Sequence, residues 1–589
     1  MNFWRMFFGA LLAFVVGLVA VLLFLLLIVS ALVGTWSVDK PAAIKDNSVL
    51  HLNLNYDIPE QTRFEPVSGF SWSGLEPRMT VGLYDITEAI RVAKNDDRIR
   101  GIYLNGGLTL AGMASIEHLR QALQDFRSSG KFVVAFGELY SERGYYLSSV
   151  ADQVFIHPQG MLEFNGMNVQ YVFFRRMLEK IGVEPQVFYA GKYKTASEPF
   201  RLDSMSAANK EMTRQLVDDL YGRMLQSISA SRSIPETQLD SISRNFLART
   251  PAAAVRLGLA DSVGYDDQVR RYLRRRLQLN DSATISLVSL SDYLSGPVRS
   301  SVTVGAGRVA LLFAEGDIVD GRGSRTNIGS ARYADLLRKL REDERVKAIV
   351  FRVNSGGGSA LASDVIAREV LMTLHKKPVV VSMGDVAGSG GYYIGAYGSR
   401  IVAMPSTLTG SIGVFGVFPN TQKLFNDRLG ITFDQVKTGQ YADFGDASRP
   451  LREDEKLILQ QMIDSIYNSF LSVVALGRNL KLNQVDSIGQ GRVWTGNQAL
   501  KLGLVDTLGT VSDAIALAAR LANLQQYRVV QYPEQDNELM RVLESLSRKQ
   551  EEAVLRKRLG VLYGTVDELR RLAEIKGIQA RMPFVPVIY

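Results

Sequence analysis

The chain of 589 residues contains no cysteine. That removes disulfides, thiol nucleophiles and cysteine-ligated metals from consideration. Histidine is scarce as well, with only His51, His118, His157 and His375. No two of them have metal-ligand spacing, so neither a metal nor another cofactor is expected. The phosphate-binding pattern GxxxxGK[ST] is missing, and so is GxGxxG. Charge of neither sign dominates: 68 Lys and Arg stand against 60 Asp and Glu, a net +8. The arginine cluster Arg270, Arg271, Arg274, Arg275 and Arg276 reads as a solvated helix face, so no nucleic-acid partner is expected.

Long apolar runs are also lacking, with one exception. Residues 7–33 carry no charge and are almost all Leu, Val, Phe and Ala. That is enough to span a bilayer, which takes ~20 apolar residues. Trp4 and Trp36 bracket the run, and Arg5 precedes it. An aromatic belt and a positive cytoplasmic end are the expected signs of a single-pass anchor, with the rest of the chain across the membrane. A cleaved leader has a shorter core, ~7–15 residues, and a small-residue cleavage site. Ser30-Ala31-Leu32 is a poor one, so an uncleaved anchor over residues 1–36 is expected.

What the chain does have is an internal duplication. Asp96-Asp97-Arg98-Ile99 resembles Asp343-Glu344-Arg345-Val346, and Gly144-Tyr145-Tyr146-Leu147 resembles Gly391-Tyr392-Tyr393-Ile394, both 247 residues apart. Leu257-Gly258-Leu259 recurs as Leu502-Gly503-Leu504, 245 residues on. Such constant spacing marks a repeat, with cores at about 80–275 and 325–520. Each copy alternates apolar strand and amphipathic helix: strands at 99–104, 131–136, 348–353 and 378–381, helices at 113–126 and 362–374, and longer helices at 205–231 and 453–477. The fold class expected is α/β with largely parallel sheets. The domains expected are a first repeat over 37–277, a Ser-, Asp- and Gly-rich linker over 278–304, a second repeat over 305–521 and an extension over 522–589 with no functional reading.

The chemistry concentrates in the second repeat. After the strand at 378–381 comes Gly384-Asp385-Val386-Ala387-Gly388-Ser389-Gly390-Gly391-Tyr392. Small neighbours let the backbone turn sharply beside Ser389, and a serine at a strand-to-helix turn has backbone N–H groups near it for an oxyanion. Asn354-Ser355-Gly356-Gly357-Gly358-Ser359, one strand earlier, is a second glycine-rich turn that can face an anion. No histidine follows Ser389, and Ala387 stands where GxSxG requires glycine; the Ser…Asp…His order of α/β-hydrolases is therefore impossible. The remaining candidate base is a lysine. Gly191-Lys192-Tyr193-Lys194 of the first copy aligns with Gly439-Gln440-Tyr441-Ala442 of the second, and Ser389 aligns with Glu142. Each copy keeps one group that the other lacks, which points to Lys194 and Ser389 as halves of one site.

At these residues the chain resembles the bacterial signal peptide peptidase A family in its long, double-repeat form. The most specific segments are Arg352-Val353-Asn354-Ser355-Gly356-Gly357-Gly358-Ser359, Gly388-Ser389-Gly390-Gly391-Tyr392, Pro405-Ser406-Thr407-Leu408-Thr409-Gly410-Ser411-Ile412-Gly413 and Gly191-Lys192-Tyr193-Lys194. The resemblance implies two tandem repeats with a fold like the Clp protease subunit and the crotonases. It also implies a Ser/Lys dyad of nucleophile Ser389 and base Lys194, with Ser411 orienting the lysine, and a homotetramer on the outer face of the bacterial inner membrane. The family usually has Ser-Pro-Gly-Gly where this chain has Ser355-Gly356-Gly357-Gly358. The expected function is a membrane-anchored serine endopeptidase that degrades apolar peptides, such as cleaved signal peptides, with Gly358 and Gly390 as oxyanion donors. The alternatives are a crotonase-like acyl-thioester enzyme and an inactive scaffold that binds membrane peptides.

Overall fold

The computed structural model describes residues 44–65, 78–298, 307–534 and 578–582, together with scattered positions between 7 and 24. Among the described residues no helix is long and apolar enough to cross a membrane. About half of the run 7–33, expected to be the anchor, lies outside the described residues.

The strands of the first repeat form a parallel sheet in the order Ser262–Val263, Gln153–Leu162, Phe132–Tyr140, Ile99–Asn105, Ser48–Asn53, Leu287–Ser289. The second repeat builds its counterpart from Val493–Thr495, Leu408–Gly410, Val379–Gly388, Val346–Ser355, Gly307–Glu315 and Tyr527–Tyr532. All of these neighbours are parallel except Leu408–Gly410 with Val493–Thr495. The β-branched runs explain the arrangement. Val379, Val380 and Val381 alternate between the sheet's two faces, and all three are buried. Val380 joins Leu311, Phe313 and Val350 under the helix Val511–Leu521. Val381 joins Leu312, Phe351, Ile366 and Phe470 on the opposite face. A strand covered on both faces reads as a continuous apolar run rather than an alternating one.

A third, mixed sheet crosses from one repeat to the other, in the order Ile328–Gly329, Ile318–Val319, Gly357–Ser359, Ile578–Arg581, Val414–Asn420, Glu184–Ala190. Its last pair joins the first repeat to the second, antiparallel from Val414 opposite Ala190 to Asn420 opposite Glu184. Other ties are polar. Arg352 and Glu60 form a buried ion pair at 2.9 Å, and Ser115 donates to the Asp385 carboxylate through its N–H at 2.8 Å and its hydroxyl at 2.6 Å.

The expected elements are present, and several are longer than their apolar cores. The glycine-rich stretch is strand as far as Gly388, so only Ser389 and its followers make the turn. The two long helices run Ala207–Arg232 and Glu453–Arg478. Two stretches differ from expectation. The polar segment read as a linker contributes the strand Leu287–Ser289 beside Ser48–Asn53, because its few apolar side chains, including Val288 and Tyr293, are buried. The extension beyond 521 contributes Tyr527–Tyr532 to the second sheet and Ile578–Arg581 to the mixed one.

Candidate active site

Ser389 sits between the end of strand Val379–Gly388 and the helix Gly390–Gly395. Its backbone has φ 53° and ψ −118°, a conformation that a side-chain-bearing residue adopts only when its surroundings impose it. The imposing contacts are the Ser389 N–H to the Gly410 carbonyl at 2.7 Å and the Tyr393 N–H to the Ser389 carbonyl at 2.8 Å. The turn projects Oγ towards the first repeat. Lys194 approaches from that side. It follows the strand Glu184–Ala190, whose pairing with Val414–Asn420 carries it across the boundary between repeats. Gly491 lies against its backbone: a Cβ there would come within 2.6 Å of the Lys194 Cα. The Tyr193 N–H bonds the Gln490 carbonyl at 2.7 Å.

The result is a compact cluster. Lys194 Nζ lies 2.8 Å from Ser389 Oγ and 3.2 Å from both the hydroxyl and the carbonyl oxygen of Ser411. Lys194 is 1% exposed, and Ser389 and Ser411 are fully buried. Burial holds the Lys194 ammonium well below the ordinary lysine value, and desolvation is the sole cause. No carboxylate offsets it, and such desolvation favours the neutral amine, the form able to accept a proton.

The loop expected to face an oxyanion lies alongside. Gly357 and Gly358 have φ 101° and 157°. A Cβ on Gly357 would lie 2.7 Å from the Gly390 nitrogen, so the two glycine-rich turns touch. The Gly357 N–H is bound to Ser355 Oγ at 3.1 Å. Ser359 Oγ accepts the Ala362 N–H at 3.2 Å and donates to Asp320 at 2.8 Å. Ser355 and Ser359 are therefore tied into their own loop.

The matching places in the other copy look different. Glu142, at the position of Ser389, is buried. One carboxylate oxygen accepts the Gly166 N–H at 3.2 Å and the other has no partner; burial pushes its carboxyl up to about 7. Ala442, at the position of Lys194, is exposed. Of the histidines, His375 is exposed. His118, expected at the surface or hydrogen-bonded, is instead buried with Nδ1 unpartnered, and burial lowers it to about 3. Among the described residues no group of carboxylates and histidines could hold a metal ion. Sequence reasoning missed Gly491, whose importance lies in a contact with no local pattern, and residues 578–582, which carry no motif.

A buried hydroxyl at a strained strand-to-helix turn, with a desolvated amine and glycine-rich backbone beside it on an α/β scaffold, places the molecule among the serine hydrolases. The chain belongs to peptidase family S49, which matches residues 125–280 and 373–525, one stretch in each repeat. It is 38% identical to Protease 4 of Salmonella typhi, over 79% of this chain and 76% of that protein. It is 32% identical to Protease 4 of Haemophilus influenzae, over 86% and 84%, and 32% identical to the chloroplastic serine protease SPPA of Arabidopsis thaliana, over 92% and 78%. The chain is thus a serine peptidase of the Protease 4 and SppA type, with the family's domain present twice. A solved ClpP1 N165D mutant from Listeria monocytogenes overlays 35% of this chain and 94% of its own at 15% identity and a TM-score of 0.24, too slight a likeness to carry weight.

Proposed function

We propose that Ser389 is the nucleophile and Lys194 the general base of a peptidase site assembled from both repeats. The observation that carries this reading is the 2.8 Å contact between Lys194 Nζ and Ser389 Oγ in a buried setting without a carboxylate. Neutral Lys194 takes the hydroxyl proton as Oγ attacks the peptide carbonyl; the resulting ammonium gives that proton to the leaving amine, and water then hydrolyses the acyl-enzyme. Ser411 holds Nζ in line through its hydroxyl and carbonyl oxygen. The N–H groups of Gly358 and Gly390 receive the oxyanion. The Gly357 N–H is given to Ser355, which supports Gly358 as the donor from that loop.

The substrates proposed are apolar peptides such as cleaved signal peptides. The chain is anchored in the bacterial inner membrane through residues 7–33, with its body on the periplasmic side; the charge-free run preceded by Arg5 supports this. A homotetramer is supported by the duplication itself. Within the chain, Glu184–Ala190 pairs with Val414–Asn420. The equivalent stretches of the other copies, 432–438 and 167–173, are not in strands, and residues 431–440 are exposed throughout, with Val436 fully in solvent. Pairing 432–438 of one copy with 167–173 of the next would repeat the internal contact head to tail, which closes a ring when the rotation permits. The test of function is hydrolysis of a ~20-residue apolar peptide in detergent by the wild type and by Ser389→Ala. Loss of all turnover in the variant is expected. Residual turnover above a small fraction would overturn the nucleophile assignment.

A further inference from the structure

Burial alone disfavours the Lys194 ammonium, so the lysine serves as a base only while the chain around it stays closed against the second repeat. On the second-repeat side the closing segment is Gln490-Gly491-Arg492. The Lys192 N–H donates to Gln490 Oε1 at 3.1 Å, and the Tyr193 N–H to the Gln490 carbonyl at 2.7 Å. Gln490 is fixed in turn by Tyr467, whose hydroxyl accepts its N–H at 3.2 Å. These bonds tie down the backbone of the lysine segment and leave the Tyr193 ring to be held by another group.

Arg492 holds it. Its guanidinium carbon lies over the Tyr193 ring, 4.5 Å from the centroid, and over the Trp494 ring, 4.7 Å from the centroid. Its Nη2 pairs with Glu211 at 3.2 Å and donates to Gln215 Oε1, both on the first-repeat helix Ala207–Arg232. The Trp494 ring is pinned by its own N–H, which donates to the Ile488 carbonyl at 2.9 Å. The side chain of Arg492 is 15% exposed, and a cation over an aromatic face is held more firmly as water is excluded. The exposed Lys192 reaches the Tyr193 ring at a looser 5.2 Å. The Arg492 backbone has a second contact: its carbonyl accepts the Ser411 N–H at 2.7 Å, and Ser411 bonds the Lys194 amine. Charge enters this clamp through Arg492, Glu211 and Lys192, and not at the amine, whose hydrogen-bond partners are Ser389 and Ser411.

We infer that Arg492 is a positioning residue for the reaction, clamping Tyr193 so that Lys194 stays sealed at Ser389 Oγ. The inference rests on the proposed Ser389 and Lys194 mechanism. Without the guanidinium the Tyr193 ring loses its partner on the second repeat. The segment that carries Lys194 is then free to part from Gln490 and Gly491, and water reaches the amine. A hydrated ammonium is disfavoured less than a buried one, so the lysine keeps its proton to higher pH. Fewer molecules then hold the base in its working form at neutral pH. That loss falls on the chemical step, so kcat should drop with little change in KM.

The test compares full-length wild type, Arg492→Leu, Arg492→Lys and Tyr193→Leu in detergent. The readouts are the rate of fluorophosphonate labelling at Ser389 across pH, and kcat and KM on an apolar peptide. Arg492→Leu is expected to move the pH of half-maximal labelling up by about one unit and to lower kcat at neutral pH about tenfold, with KM within about twofold. At high pH its labelling rate should return to that of wild type. Arg492→Lys should shift in the same way, because an ammonium has neither the planar face nor the fork that meets Glu211 and Gln215. Tyr193→Leu should give the same shift, and it tests the clamp even where Arg492→Leu does not fold. The double variant should shift no further than either single one. A residue that only stabilised the fold would lower the amount of labelled protein and leave the half-maximal pH in place. That result in Arg492→Leu or Tyr193→Leu, or an Arg492→Lys enzyme with the wild-type profile, overturns this inference while the peptidase reading stands. If wild type takes no label, or labels at a rate that does not change with pH, the Ser389 and Lys194 reading falls as well.

Discussion

Lys194 is a residue whose chemistry and stability conflict. Buried without a carboxylate, its ammonium is disfavoured by desolvation, and folding therefore penalises a group that is charged when unfolded. Between the lowered folded value and the unfolded ~10.4 the unfolded chain binds more protons, so this group's contribution to stability rises with pH and is most unfavourable at low pH. Lys194→Met should therefore abolish activity while raising the melting temperature at pH 7, and the gain should shrink as pH approaches ~10.4. A melting temperature lowered across the whole range would contradict that account. Glu142 has the same conflict with the opposite sign. Its carboxyl is pushed up to about 7 by burial, so it lowers stability as pH rises from the unfolded ~4.3 towards 7. Glu142→Gln should stabilise the fold by roughly 1–3 kcal/mol at pH 8 and do nothing near pH 4, as thermal melts across pH would reveal.

Among the elements, the one that matters most to the site is the antiparallel pair Glu184–Ala190 with Val414–Asn420, since it delivers a side chain of one repeat to the turn of the other. Gly491 sets the final position. Its φ is 76°, and a Cβ would press on the Lys194 backbone. Gly491→Ala should displace the amine by a fraction of an ångström and lower kcat about 100-fold, with a much smaller effect on KM. An unchanged kcat would show that the lysine is positioned by Ser411 alone. The parallel strands and crossover helices were legible because buried runs such as Val379-Val380-Val381 and stripes such as Ile116, Leu119, Leu123 and Phe126 have plain periods. The mixed sheet was not legible. Its strands Gly357–Ser359 and Ile578–Arg581 are short, lack β-branched alternation and find their partners far along the chain. Strand formation there is decided by what lies alongside, not by local preference.

For the whole molecule the duplication is the organising fact, and it made the candidate site readable. Ser389 without a partner, or Lys194 as one lysine among many, would have meant little; the reciprocal losses at Glu142 and Ala442 linked them. The structure brings Lys194, Ser389 and Ser411 together. The strand Ile578–Arg581 escaped sequence reasoning because it lies outside both repeats. If copies associate by repeating the internal strand pair, Phe433→Glu with Val436→Glu, both at exposed positions, should convert the assembly to monomers in light scattering without altering the melting temperature. A variant that keeps the wild-type mass would refute that interface. The central claim is that a lysine of the first repeat activates a serine of the second. It is tested most directly by the rate of covalent fluorophosphonate labelling at Ser389, measured across pH for wild type, Lys194→Ala, Lys194→Arg and Lys192→Ala. The account predicts a wild-type rate that rises with pH as Lys194 loses its proton, the same profile in Lys192→Ala, and loss of labelling in both Lys194 variants, because a guanidinium cannot give up its proton. Brisk labelling of Lys194→Arg, or a Lys192→Ala enzyme as inert as Lys194→Ala, would contradict it.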